Sequence, residues 1–268
     1  MNDNLQNSNQ LDSDHTNWIG LFTMFRREVK RTFRVVIQTL VAPVISSALY
    51  IFIFGMVIGT QITEVSGVPY ITFVFPGILM LAVINSSFAS ASSALYFMRF
   101  TRGIEEILIT PFSYLEMLIG FVGSAVTRAV MVAFLILGVG IIFGAVSLMH
   151  PILFILYITG IAAIFAMLGI IVALWAENFE QLQVLNTFVI TPLTYLGGIF
   201  YSVTFLPELA RTLTELNPFF YFTDAIRSSM IGVSEANTMI GTILITVLII
   251  SLAFLVTTLF KRGWKIRS

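Results

Sequence analysis

The stretch YITFVFPGILMLAVINSSFASASSALYF, residues 70–97, contains neither an acid nor a base. It exceeds the roughly 20 apolar residues that carry a helix across about 30 Å of hydrocarbon. Comparable apolar runs lie on either side of it, at 36–59, 120–146, 151–175, 183–203 and 239–260. The chain is therefore expected to be an all-α, polytopic membrane protein with six transmembrane helices. Composition agrees: 57% of residues are hydrophobic and 10% charged, against about 25% charged in soluble domains. A mean hydropathy of +0.95 leaves more apolar surface than a soluble core hides. Pro43, Pro76 and Pro192 fall inside or near the ends of the runs, where membrane helices accept kinks if neighbours satisfy the freed backbone groups.

Outside the spans, residues 1–17 are polar and lack the basic and apolar regions of a secretory signal. They are expected to form a disordered cytoplasmic tail. From Trp18 to Val36, Trp18, Phe22, Phe25, Val29, Phe33 and Val36 recur at helical spacing opposite Arg27, Lys30, Arg31 and Arg34. This predicts an N-terminal amphipathic interfacial helix, with its basic face toward anionic headgroups and its aromatic face in the acyl boundary. Lys and Arg accumulate before span one, after span two at Arg99 and Arg102, and after span six in the basic tail 261–268. Six crossings put all three clusters on one side, so both termini are expected in the cytoplasm. The segment 201–238 is too long for a hairpin and too apolar for a free loop. Pro207 and Pro218 divide it. Two short re-entrant helices, 208–216 and 223–231, are expected there, packed against the bundle.

Several chemistries lack their residues. A Walker-type ATPase needs a glycine loop followed by lysine, whereas Lys30, Lys261 and Lys265 follow no glycine. No nucleotide-binding motif, catalytic residue or cofactor is therefore expected on this chain. Gly138, Gly140 and Gly144 lie in an apolar run with no strand before it, which assigns them to helix packing. His15 and His150 have no metal-ligand spacing, so no metal site is expected. Nor is a nucleic-acid partner expected. The acids, among them Glu64, Glu105, Glu106, Glu116, Glu177 and Glu180, fall outside or at the edges of spans, which weakens an ion-gradient-driven secondary transporter without removing it. Arg128 is the one base within a span. Placed near a cytoplasmic helix end, it is expected to snorkel or pair, with a role in a transport path as the alternative.

Four short motifs add a resemblance. They are Phe75-Pro-Gly-Ile78; Phe100-Thr-Arg-Gly103 running into Ile104-Glu-Glu-Ile-Leu-Ile-Thr-Pro111; Gly197-Gly-Ile-Phe-Tyr-Ser202 with Leu206-Pro207; and Asn217-Pro218 leading to Tyr221, Asp224 and Arg227. In this order they resemble the ABC-2 type transporter permeases, in the branch of nodulation-factor and daunorubicin-type bacterial export permeases. The resemblance covers nearly all of 18–260 and implies a permease in the bacterial inner membrane. Such a permease pairs with a second permease copy and two copies of an ABC ATP-binding subunit that carries the ATP and magnesium. It also implies that 102–110 is a cytoplasmic coupling helix, with Arg102, Glu105, Glu106, Ile107, Leu108 and Pro111 at the contact with the ATPase. The substrate, a drug, a lipid or a lipid-linked glycan, is not read from the sequence. Asn85, Asn186, Thr187 and Thr191, with Tyr201, Phe220 and Tyr221, are candidate path-lining residues; interhelical hydrogen bonding is the alternative for the polar four. Gly55, Gly59 and the small-residue run 86–94 suit close helix contact within one chain or between two.

Overall fold

The computed structural model describes residues 18–104 and 113–265. The elements are α1 (Trp18–Arg34), α2 (Ile37–Thr60), α3 (Tyr70–Phe100), α4 (Tyr114–Ile142), α5 (Pro151–Trp175), α6 (181–195), α7 (Glu208–Glu215), α8 (Pro218–Ile231) and α9 (Thr238–Lys261). A two-stranded hairpin, β1 (Glu64–Val65) with β2 (Val68–Pro69), joins α2 to α3. Ser66 and Gly67 both take positive φ at its turn, as a two-residue type I′ turn requires.

Five helices, α2, α3, α4, α5 and α9, are long and apolar enough to cross a membrane. The remaining expected span, the fifth at 183–203, becomes a shorter helix, α6. It is built of Gln181–Leu185, the wider-turned Asn186–Ile190 and Thr191–Tyr195. Three five-residue pieces rise only about 22 Å. The helix stops because the chain reverses at Gly198, whose φ of +72° is open to glycine at little cost. Ile199 then packs under Gly77 of α3. Residues 177–200 nevertheless reach both ends of α3. At one end Tyr96 donates a hydrogen bond to the Glu177 carbonyl (3.1 Å), and at the other Tyr70 donates to the Phe200 carbonyl (2.9 Å).

The bundle is organised around α3, 83% of whose most apolar window is buried. Its largest neighbour is α5. The approach is close: a Cβ on Gly169 of α5 would stand 2.6 Å from the Phe88 carbonyl oxygen and 3.1 Å from the Ser92 amide nitrogen, both backbone atoms of α3. At the periphery, α2 and α9 bury only 11% and 17% of their windows. Residues such as Ile45, Leu49, Ile250 and Phe254 point away from the rest of the chain.

Helix α4 begins earlier than the expected 120 because Ser113 and Glu116 form a capping box. Ser113 Oγ accepts from the Glu116 amide (3.2 Å), and Glu116 Oε2 accepts from the Ser113 amide (2.7 Å). Ser113→Ala removes one of these bonds and is expected to cost about 1 kcal/mol. The fall in melting temperature of the solubilised protein measures it, and Ser113→Thr is expected to restore the loss.

The two short helices of 201–238 differ from expectation. Helix α8 starts at Pro218, five residues before the expected Thr223. Asn217 caps it, its Oδ1 accepting from the Phe219 amide (3.1 Å), and proline suits the first helical position. It is almost wholly buried against α3, α5 and α9. Helix α7 does not pack on the bundle in the same way. Thr214 is its only buried residue, and Leu209, Leu213 and the adjoining Leu216 are exposed. In α1, the buried residues are Met24, Glu28 and Thr32, set against α4. Trp18, Phe22 and Phe33 are exposed, leaving an aromatic face free for lipid.

Candidate functional site

Helices α2, α3, α4 and α6 border an open-sided cavity of about 450 Å³ lined by Gln38, Ser46, Ser47, Asn85, Ser86, Arg128, Thr191 and Tyr195, with Ile78 and Leu81 among its apolar residues. A second cavity of about 230 Å³ shares Gln38, Ala89 and Arg128 with it and adds Arg31, Thr32, Ser92 and Gln183. The shared residue of greatest consequence is Arg128. Because α4 begins at Tyr114, Arg128 sits about 21 Å along the helix. It therefore stands near the middle of the helix rather than at the expected place near its end. Arg128 makes no hydrogen bond or ion pair among the described residues, and its Nε is buried without a partner. A cation taken fully into hydrocarbon costs roughly 2.5–3.5 kcal/mol on insertion scales, so a site that pairs it is favoured. Ser86 Oγ, on the larger cavity, and Asn186 Oδ1, on α6, are also buried without partners.

The candidate path residues divide into two groups. Asn85 and Thr191 meet in the larger cavity, with Asn85 Nδ2 donating to the Leu81 carbonyl (3.0 Å). Thr187 is exposed on the outer side of α6. Tyr201, Phe220 and Tyr221 lie elsewhere, toward the end of the bundle marked by Tyr70 and Phe200. Tyr201 donates to the Leu196 carbonyl (3.1 Å), and Phe220 is buried with its ring edge-on to Tyr221.

That end is held by a buried polar network that spacing alone does not reveal. Arg227 of α8 is wholly buried. Its Nη2 donates to the Gly198 carbonyl (2.6 Å), its Nη1 lies 3.4 Å from Glu235 Oε2, and its guanidinium stacks 3.9 Å over Phe73. Ser202 donates to Glu235 Oε1, which ties the turn after α6 to the loop before α9. Asp224, one turn before Arg227, accepts from the Glu235 amide (2.7 Å), the Ser234 hydroxyl (2.7 Å) and the Ala236 amide (3.2 Å). Burial pushes the Asp224 carboxyl above its ordinary range, while these donors and Arg227 oppose the shift.

At the opposite end the three basic clusters converge. Arg99 donates to the carbonyls of Ala173 and Ala176, Lys265 pairs with Glu177 at 3.1 Å, and Arg27 donates to Met98 Sδ at 2.9 Å. Arg102 is exposed just beyond α3, while Ile104 is buried. Glu105, Glu106, Ile107, Leu108 and Pro111, the remaining expected coupling residues, lie outside the described residues.

The sequence pattern of ABC-2 type transporters matches residues 20–231. The chain belongs to the ABC-2 type transporter family. An inner membrane transport permease, YadH, of Escherichia coli (strain K12) is 33% identical over 254 residues, which cover 95% of this chain and 99% of that protein. Nodulation protein J of Rhizobium meliloti (strain 1021) is 28% identical over 229 residues, 83% of this chain and 84% of its own length. The chain is thus an ABC-2 permease whose relatives include transport permeases.

Proposed function

We propose that this ABC-2 permease is the membrane-spanning subunit of an ATP-driven exporter that moves an amphiphilic or hydrophobic substrate out of the cytoplasm. The family match over 20–231 carries the proposal. ATP is hydrolysed by a separate subunit, since no lysine in the sequence follows a glycine. The working unit holds two permease copies and two ATPase copies in a bacterial inner membrane. Six crossings, with 181–200 as the fifth, place both termini in the cytoplasm. The shared end of the three basic clusters supports this orientation. The re-entrant helices are α7 and α8, on the external side.

The coupling segment is 102–110. Glu105 and Glu106 meet basic or polar groups of the ATPase, and reversing both to lysine introduces repulsion where attraction fixed the docking. The tagged chain, solubilised in mild detergent, is expected to bring down an ATP-hydrolysing subunit. The double reversal is expected to lose it, while Glu64→Lys, at the opposite end on exposed β1, keeps it. Unchanged subunit binding, hydrolysis and export in the double reversal would place docking elsewhere. Export that survives ATP depletion but collapses with the ion gradient would replace the proposal with a secondary transporter.

A further inference from the structure

We infer that the cavity around Arg128 is a binding site for the anionic head of an amphiphile, a phosphate or carboxylate group on an apolar tail. The inference rests on the exporter reading for its physiological meaning and deepens it by naming a substrate class. Three observations converge on it. Arg128 is held at mid-helix, about 21 Å from the start of α4, with no counter-charge among the described residues and a buried, unpartnered Nε. The cavity beside it has room for a head group, about 450 Å³. Its polar lining is neutral or donor-rich: Ser86, with its hydroxyl oxygen unpartnered, Asn85, Thr191 and Gln38. Among the described residues, no carboxylate lines either cavity that Arg128 borders. The other cation of the smaller cavity, Arg31, already has a partner in Glu28 at 2.9 Å. Among the described residues, Arg128 therefore has no compensating charge.

A guanidinium presents a planar fork of donors that matches the two oxygens of a carboxylate or phosphate. In an apolar bundle such a group does not stay unpaired at low cost, so an entering anion gains more there than it does in water. The apolar residues of the cavity, Ile78 and Leu81 among them, give the first part of a tail a place to lie. A free small anion satisfies the arginine equally well but leaves this apolar lining uncovered.

The test is a binding measurement on the full chain in detergent, without nucleotide or partner, using dodecyl phosphate as the probe. Comparators are an uncharged dodecyl polyoxyethylene ether and inorganic phosphate. The wild type is expected to bind dodecyl phosphate at least ten-fold more tightly than either comparator. Arg128→Gln is expected to abolish the preference over the uncharged ether, Arg128→Lys to retain part of it, and Arg211→Gln, a charge change on exposed α7, to leave it intact. Equal binding of the charged and uncharged chains by the wild type overturns the site, as does a preference that persists in Arg128→Gln. Inorganic phosphate bound as tightly as dodecyl phosphate overturns the amphiphile assignment in favour of a free-anion site. Should Arg128→Gln fail to fold, the wild-type comparison and Arg128→Lys still decide. Failure to recover an ATPase sinks the exporter reading and leaves this binding result standing, so the two failures are distinguishable.

Discussion

Arg227→Met is expected to lower the melting temperature of the solubilised protein by about 10 °C or more, the largest effect of any single substitution considered. The guanidinium is wholly buried and serves three partners at once: the Gly198 carbonyl, the Glu235 carboxylate and the Phe73 ring. Methionine fills much of the volume but leaves Glu235 buried without its cation and Gly198 without its donor. Breaking a buried pair by removing one member costs about 3–5 kcal/mol, and each kcal/mol moves the midpoint of a chain of this size by roughly 2–4 °C. Removing both charges is less costly than removing one, so adding Glu235→Gln to Arg227→Met is expected to recover part of the loss. A single-variant midpoint within about 2 °C of wild type would show that the network does not hold the turn after α6.

Gly169→Val is expected to be nearly as damaging, by a different physical route. The added Cβ falls 2.6 Å from a backbone oxygen of α3 and 3.1 Å from a backbone nitrogen. Neither atom swings aside as the end of a side chain does, so α3 and α5 must separate along their most extensive contact. Overpacking costs typically 1–3 kcal/mol, and the rigidity of both neighbours sets the expectation at roughly 3 kcal/mol or above. Gly138→Val supplies the control. It is the same change within a helix, but Gly138 has nothing within 4 Å of its ideal Cβ. If both variants melt together, the loss reflects helix propensity or expression rather than contact between α3 and α5.

Hydropathy made the long helices legible. The run at 70–97 is α3 but for its last turn, 151–175 is α5 exactly as bounded, and 36–59 and 239–260 shift by a residue. The errors have local causes. The start of α4 was missed by six residues although Ser113 and Glu116 stood in capping-box spacing, because the apolar run alone set the boundary. The over-long reading of 183–203 counted apolar residues through Gly197 and Gly198, where the backbone turns. What sequence could not supply was company. Arg128 is conspicuous as the lone base in a span, yet Gln38, Ser86 and Thr191 border the same cavity from three other helices. Asp224 and Arg227 are visibly one turn apart, but Gly198, Ser202 and Glu235 join them only through the long-range fold.

The contrast between α2, with 11% of its window buried, and α3, with 83%, also means that the two helices place different demands on a chain that leaves the ribosome from its N-terminus. Helix α2 emerges before the other spanning helices, and it can enter lipid alone because its surface is meant for surroundings other than the rest of its own chain. Helix α3 emerges next, long before its main neighbour α5 has been synthesised. Two of its serines turn back on their own helix and need no neighbour: Ser87 donates to the Val83 carbonyl at 2.9 Å and Ser93 to the Ser90 carbonyl at 3.2 Å. Part of the strip that becomes the centre of the protein thus satisfies its hydroxyls within its own helix, and packing of α5 replaces lipid with protein without asking those two hydroxyls to find new partners.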